Sequence, residues 1–258
     1  MTTNADCYEY PQYWDAAFHE ETLPEADFIR DAAEKYGPVK LQSVLEVGCG
    51  GGRQVVELSR RGYQVTAFDL SDAAVVYSQK RLRQRKLRAD VFVGDMADFS
   101  LPCRVDLAHC FVNTFRHLTT EKQAVSHLKC VAAALRPGGL YLLGFHLLPP
   151  DAAEDDCERW SVKQRGHKIT TTVRVLEFSR RKRLEVVRFS LRVRSPKMDL
   201  KLRTDHTLRI YRADQFRSLL RKVPELQLLD VYDFCYDVSE PLTLNDELGD
   251  SVFVLQRR

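Results

Sequence analysis

The sequence predicts an α/β fold: a mostly parallel sheet wrapped by helices, with an antiparallel β unit inserted late in the chain. Three observations carry that prediction. Apolar runs at residues 44–47, 63–68, 89–93, 105–111 and 140–146 alternate with helical patterns, the rhythm of βαβ units. The first run leads into Gly48-Cys49-Gly50-Gly51-Gly52-Arg53, a glycine-rich turn in which the backbone can take positive φ and bring a ligand close. Runs 169–178, 184–193 and 198–211 alternate with period two across short connections, as an antiparallel meander does.

The elements follow in order. Tyr8, Tyr10, Tyr13 and Trp14 cluster ahead of a helix whose start reads Thr22-Leu23-Pro24-Glu25, a capping-box spacing with proline in the first turn. Phe28, Ile29, Ala32 and Ala33 recur at helical intervals until Gly37-Pro38 ends the pattern. Residues 54–60 and 72–87 read as crossover helices, and 105–111 supplies a fourth strand. A helix over 120–135 opens on a second capping-box spacing, Thr120 to Gln123, and stops at Arg136-Pro137-Gly138-Gly139 before a fifth strand at 140–146. Pro149-Pro150 and an acidic stretch at 151–156 break the rhythm before the meander. In its third run Met198, Leu200, Leu202, Leu208 and Ile210 share one face with Thr204 and His206, leaving Lys201, Arg203, Arg209 and Tyr211 opposite. A helix at 213–222 and strands at 226–232 and 251–255 resume the main unit. The chain thus divides into an N-terminal helix, lid and ligand-binding core (1–150), an antiparallel insert capping the active site (151–212), and a return to the core (213–258).

Acids stand at three strand ends. Glu46 closes the first, Asp69 lies 21 residues after Gly48 at the second, and Asp95 follows the third. A carboxylate in Asp69's position accepts ribose hydroxyls, and one in Asp95's meets an adenine amino group, so the three converge on one nucleoside. Gly48-x-Gly50-x-Gly52 is tighter than the dinucleotide fingerprint, and position 53 is arginine where that fingerprint has a small residue. Residues 39–145 resemble the class I S-adenosylmethionine-dependent methyltransferases. That resemblance implies a Rossmann-like sheet of seven strands with the last antiparallel, S-adenosylmethionine as cofactor and S-adenosylhomocysteine as product. By carry-over, Glu46, Gly48, Cys49, Gly50 and Gly52 lie beside the methionine moiety, Asp69, Leu70 and Ser71 at the ribose, and Asp95 and Met96 around the adenine. Cys110, at the end of the fourth strand, completes the implied cofactor set.

After that strand, Asn113-Thr114-Phe115-Arg116-His117-Leu118 resembles the acceptor segment of glycine N-methyltransferase and its small-molecule relatives. The resemblance implies Asn113 beside the acceptor and His117 close to it; His117 is a candidate base if the acceptor is an ammonium or a hydroxyl. Arg116 departs from the family, which often has a small residue there, and a guanidinium in that position favours an anionic substrate group. His146 at the end of the fifth strand and Tyr211 are further candidate bases, with Arg209 and Tyr211 positioned to close over the substrate. Tyr13 resembles a tyrosine that lies over the cofactor pocket in related enzymes.

Composition sets the alternatives. Residues 158–203 carry 15 Lys and Arg against 4 Asp and Glu, a net +11 in a chain of net +3, which marks a separate unit. An RNA (tRNA) methyltransferase using that basic insert is one rival; a non-catalytic S-adenosylmethionine-binding regulatory protein is another. The basic residues alternate with apolar ones and lack interleaved exposed aromatics, so nucleic acid is not the expected partner. A small-molecule methyl acceptor is, and self-association stays open. The apolar stretch 140–148 is broken by Gly144 and His146 and is well short of the ~20 residues of a membrane span. No signal peptide or metal signature is read, and seven cysteines without C-x-x-C spacing point to a reducing, cytoplasmic location.

Overall fold

The computed structural model describes residues 6–38, 40–164 and 166–258. Helices α1 (Pro11–Ala17) and α2 (Thr22–Tyr36) precede strand β1 (Ser43–Val47), and α3 (Arg53–Arg60), β2 (Gln64–Asp69), α4 (Asp72–Arg85) and β3 (Asp90–Val93) complete the first half. Then come β4 (Val105–Cys110), α5 (Glu121–Ala134) and β5 (Leu135–His146). The insert is β6 (Cys157–Gln164), β7 (His167–Ser179), β8 (Leu184–Ser195) and β9 (Met198–Arg209), and the chain ends with α6 (Ala213–Leu220), β10 (Leu226–Tyr232) and β11 (Asp250–Arg257).

Seven strands form one sheet in the order β10-β11-β5-β4-β1-β2-β3, with only β11 antiparallel to its neighbours. The order reverses between β1 and β4, so a crevice opens beyond their carboxyl ends, where ligands of such sheets bind. One face of the sheet buries Leu45, Val47, Phe145 and Phe253 against α5 and α6; the other buries Val44, Leu107, Leu142 and Val252 against α2 and α3. Both faces are covered, which is why the parallel strands read as continuous apolar runs and not as alternation.

The insert is a separate antiparallel sheet ordered β6-β7-β8-β9. Its inner face, with Ile169, Leu191, Val193 and Leu202, packs on Cys7, Ala16, Ala17 and Phe18 of the N-terminal segment. Trp160 donates its indole N–H to the Ala17 carbonyl at 2.9 Å, and Trp14 meets Phe189 edge-on. On the outer face Arg188 and Arg192 make paired bonds to Asp205 and Asp199, while Lys201 and Arg203 are exposed. Arg188, Arg192, Lys201 and Arg203 therefore lie on the face turned away from the crevice.

Three local expectations need correcting. The capping box at Thr22 does not form: α2 starts at Thr22 itself, the Thr22 hydroxyl is buried without a partner, and Glu25 is taken by Arg53 and Gln54 at 2.7 and 2.6 Å. A buried guanidinium is a stronger partner for that carboxylate than the helix's own N–H groups. β6 joins the three expected strands of the meander, and β5 begins at Leu135, running through the expected turn with an irregular register against β4. The second capping box is present, with Gln123 N donating to Thr120 Oγ1 at 3.2 Å and Thr120 N to Gln123 Oε1 at 3.2 Å.

His127 sets an acid-side stability dependence. Its ring lies fully buried between the Met96 carbonyl (2.9 Å) and the Tyr141 hydroxyl (2.6 Å), and burial pushes its pKa down to about 4. A histidine neutral when folded but ordinary when unfolded stabilises fully above about pH 6.5, and that contribution drains away as pH falls toward 4. Its share is of order 3 kcal/mol. His127→Gln is therefore expected to show a shallower loss of denaturant stability than wild type between about pH 7 and pH 4.5. An unchanged slope would move the titration to other groups.

Candidate functional site

A cavity of about 550 Å³ lies over the carboxyl ends of β1, β2 and β4, roofed by the N-terminal segment and the insert. Its floor is the glycine turn. Gly48 N and Cys49 N donate to the Phe68 carbonyl at 2.9 and 3.0 Å, tying the end of β1 to β2. Gly48, Gly50 and Gly52 have φ of +72°, +53° and +75°; a Cβ on Gly48 would stand 2.5 Å from the Thr114 methyl, and one on Gly52 2.1 Å from Ser78 Oγ. Only glycine meets both the conformation and the space.

Asp69 is built into this floor. Its Oδ2 accepts from Gly50 N at 2.8 Å and its Oδ1 from Ser71 N at 2.9 Å; burial raises its pKa against those bonds. Each oxygen keeps acceptor capacity beyond its backbone bond. Leu70, Ser71, Asp95 and Met96 continue the lining, with Asp95 Oδ1 held by Ala97 N at 2.8 Å.

At the other end stands a buried charged group. Glu46 is 7 % exposed and its Oε2 has no partner; burial pushes its carboxyl well above the usual range, opposed by the Arg53 charge. Arg53 gives Nη2 to Glu25 at 2.7 Å, but its Nη1 is buried without a partner. His109, beside Glu46 in the β1–β4 register, also lines the cavity with Nε2 unpartnered, and burial brings its pKa down to about 3. Unpaired polar atoms in such a setting are expensive unless a ligand completes them. A clamp closes the turn from above: Asp15 accepts from Gly51 N at 3.1 Å and pairs with Arg81, which also donates to the Gly51 carbonyl at 2.7 Å.

The acceptor segment bends back at Val112 and Asn113, both with positive φ (54° and 64°). Asn113 Oδ1 accepts from His146 N at 2.8 Å, bracketing β4 to β5. His117 faces the cavity with Nε2 3.2 Å from the Tyr8 hydroxyl; His206 lies across its ring at 5.1 Å and beside the Tyr8 ring at 4.7 Å. Burial, and after it the His206 and Arg116 charges, bring the His117 pKa down to about 4.

Of the residues expected at the site, Glu46, Gly48, Cys49, Gly50, Asp69, Leu70, Ser71, Asp95, Met96, Asn113 and His117 line this cavity. The others go elsewhere, for physical reasons. Gly52 caps α3 from below, against Ser78. Strand alternation turns Cys110 into the core toward Tyr141, where burial pushes its thiol up to about 12, and turns His109 to the cavity instead. Arg116 is buried on Glu185, with Nε on the Arg209 carbonyl at 2.9 Å, so its charge is spent inside the protein. Arg209 donates to the Thr119 carbonyl at 2.7 Å, and Tyr211 packs among Phe115, Phe145 and Phe216, because the chain enters the helical layer of the main unit here. His146 pairs with Asp250, and Tyr13 stacks on Tyr10 with its hydroxyl near Met198 Sδ. The tyrosine at the cavity is Tyr8.

Tyr8, Asp15, Arg53, His109 and His206 were not among the expected site residues. Arg53 carried a signal, as an arginine where a nucleotide turn has a small residue, His109 carried the alternation that aligns it with Phe111, and Tyr8 belonged to the N-terminal aromatic cluster; Asp15 and His206 carried none.

The family model described as a methyltransferase domain matches residues 44–139. Glycine N-methyltransferase of Rattus norvegicus is 35% identical over 113 residues, 39% of each chain. Ubiquinone biosynthesis O-methyltransferase of Azoarcus sp. is 27% identical over 149 residues, 54% of this chain and 62% of that one. The chain spans roughly 40 to 60% of the length of these curated relatives. Among solved structures, an S-adenosylmethionine-dependent methyltransferase from Clostridium acetobutylicum superimposes with a TM-score of 0.78 at 16% identity, covering 98% of this chain and 99% of that one. CalS10, an amino pentose methyltransferase from Micromonospora echinaspora, does so at 0.69 and 19% identity, covering 93% and 92%. Sheet order, glycine turn and these relatives agree: residues 44–139 match a methyltransferase domain, and the chain as a whole has the fold of S-adenosylmethionine-dependent methyltransferases.

Proposed function

We propose that this chain transfers a methyl group from S-adenosylmethionine to an amine or hydroxyl of a small molecule, leaving S-adenosylhomocysteine. The observation that carries the reading is the pair of orphaned atoms, Glu46 Oε2 and Arg53 Nη1, across one floor from the Asp69 carboxylate. An ammonium and a carboxylate on one amino-acid end complete the first two, and a ribose completes the third. Glu46 and Arg53 would hold that end, Asp69 the ribose, and Asp95 with Met96 the adenine. Relatives named for glycine, for ubiquinone biosynthesis and for an amino sugar support a small acceptor.

Bound S-adenosylmethionine supplies a methyl group already activated by its sulfonium. What the chain must add is orientation and exclusion of water, and positioning of this kind is worth up to about 7–11 kcal/mol. Trp14, Phe18 and Phe189 close the roof and Asn113 shapes the acceptor side. His117, neutral at pH 7, takes a proton from the acceptor on Nε2 in exchange for its contact with Tyr8.

Calorimetry is expected to show binding of S-adenosylmethionine and S-adenosylhomocysteine and weaker binding of nicotinamide dinucleotides; the reverse order overturns the reading. His117→Ala should leave cofactor affinity within a few tenths of a kcal/mol, the usual effect outside a contact network. Its turnover should fall by about two orders of magnitude. Unchanged turnover would remove His117 as the base.

A further inference from the structure

Resting on the methyltransferase reading, we propose that the acceptor is a ring-bearing amine without carboxylate or phosphate groups, bound between the N-terminal segment, the 111–117 segment and the insert. This half of the cavity is walled by Tyr8, Trp14, Phe111 and Phe189, with Leu208 beside them. Its charged residues are Asp6 and Glu9, both acidic and both solvent-exposed, with Asp6 Oδ1 also accepting from Tyr8 N and the Thr204 hydroxyl at 2.9 and 2.8 Å. Of the 39 Lys and Arg in the chain, the cavity contains Arg53 alone among the described residues, and Arg53 is bonded to Glu25 at the cofactor end. Arg116, the cation nearest in sequence to Asn113 and His117, is turned onto Glu185, Arg209 is spent on the Thr119 carbonyl, and Arg188 and Arg192 pair with Asp205 and Asp199 on the outer face of the insert.

An anionic group placed here loses water and finds two carboxylates with no counter-cation. A flat ring finds aromatic faces, and a cation is attracted by those faces and by Asp6 and Glu9.

The same field separates nitrogen from oxygen. The bound ammonium first gives a proton to His117 Nε2 and on to solvent; the freed lone pair then forms the new N–C bond while the C–S electron pair returns to sulfur, and the methylated amine leaves as its ammonium. No anion forms at the acceptor atom. A hydroxyl acceptor builds up negative charge on oxygen at transfer, and this half of the site offers no cation to hold it.

The test uses the full-length protein saturated with S-adenosylhomocysteine and three matched probes: phenethylamine, 2-phenylethanol and 3-phenylpropionate. Calorimetry is expected to give the amine the tightest binding and the acid binding at least tenfold weaker than the amine. With S-adenosylmethionine, methyl transfer read by mass spectrometry should favour the amine over the alcohol. Tighter or equal binding of the acid, preferred methylation of the alcohol, or no binding of the amine at millimolar concentration overturns the proposal. The double variant Asp6→Asn, Glu9→Gln should shrink the advantage of the amine over the alcohol in binding. Failure of S-adenosylhomocysteine to bind would strike the methyltransferase reading itself, whereas product binding with acid preferred strikes only the acceptor assignment.

Discussion

Arg116→Ala is expected to lower stability by about 3–5 kcal/mol, the usual result of stripping one partner from a buried ion pair. Arg116 and Glu185 are 6 % and 7 % exposed, and the guanidinium also serves the Arg209 carbonyl. Alanine leaves a carboxylate uncompensated in the interior and a carbonyl without its donor. For a chain of this size the melting temperature should drop by roughly 10 °C. Arg116→Met with Glu185→Leu should recover most of the loss, because the penalty lies in the unpaired charge and not in the absence of the pair. An intact melting temperature together with a raised KM would mean that the side chain faces the acceptor after all, as its sequence neighbours suggest. The two variants are best compared by chemical denaturation, with cofactor affinity as a control.

Asp69→Ala should weaken both S-adenosylmethionine and S-adenosylhomocysteine by about ten- to a hundredfold, the 1.5–3 kcal/mol of a lost hydrogen bond to a charged partner. The structure places the loss toward the upper end. The same carboxylate holds Gly50 N and Ser71 N, so its removal also loosens the turn that forms the cavity floor. Asp69→Asn keeps one oxygen acceptor and is expected to fall between wild type and alanine. Titration calorimetry on the three proteins decides the order. Equal affinity in wild type and Asp69→Ala would exclude this carboxylate from the ligand.

Much of this architecture was legible in the chain because its signals are local. Continuous apolar runs mark strands buried on both faces, and period two marks the insert, whose outer face carries Lys201 and Arg203 as read. Asp69 was readable for the same reason, since a strand end and a glycine turn within one βαβ unit leave a carboxylate little choice of direction. α1 and β6 escaped notice. α1 has only 7 residues and β6 is an edge strand with little burial, so neither leaves a long periodic pattern.

What periodicity cannot carry is the partner of a polar side chain. Arg116 finds Glu185 69 residues away, Asp15 finds Arg81 after 66, and Tyr8 meets His117 after 109. The sequence by itself determined the sheet, the turn and the acids at the strand ends, because hydrophobic burial follows a repeat that each segment displays alone. Only the tertiary structure decided which cations face a ligand and which are spent on buried carboxylates. Electrostatic pairing depends on distance in space, and that distance is set by how the insert and the N-terminal segment close over the sheet.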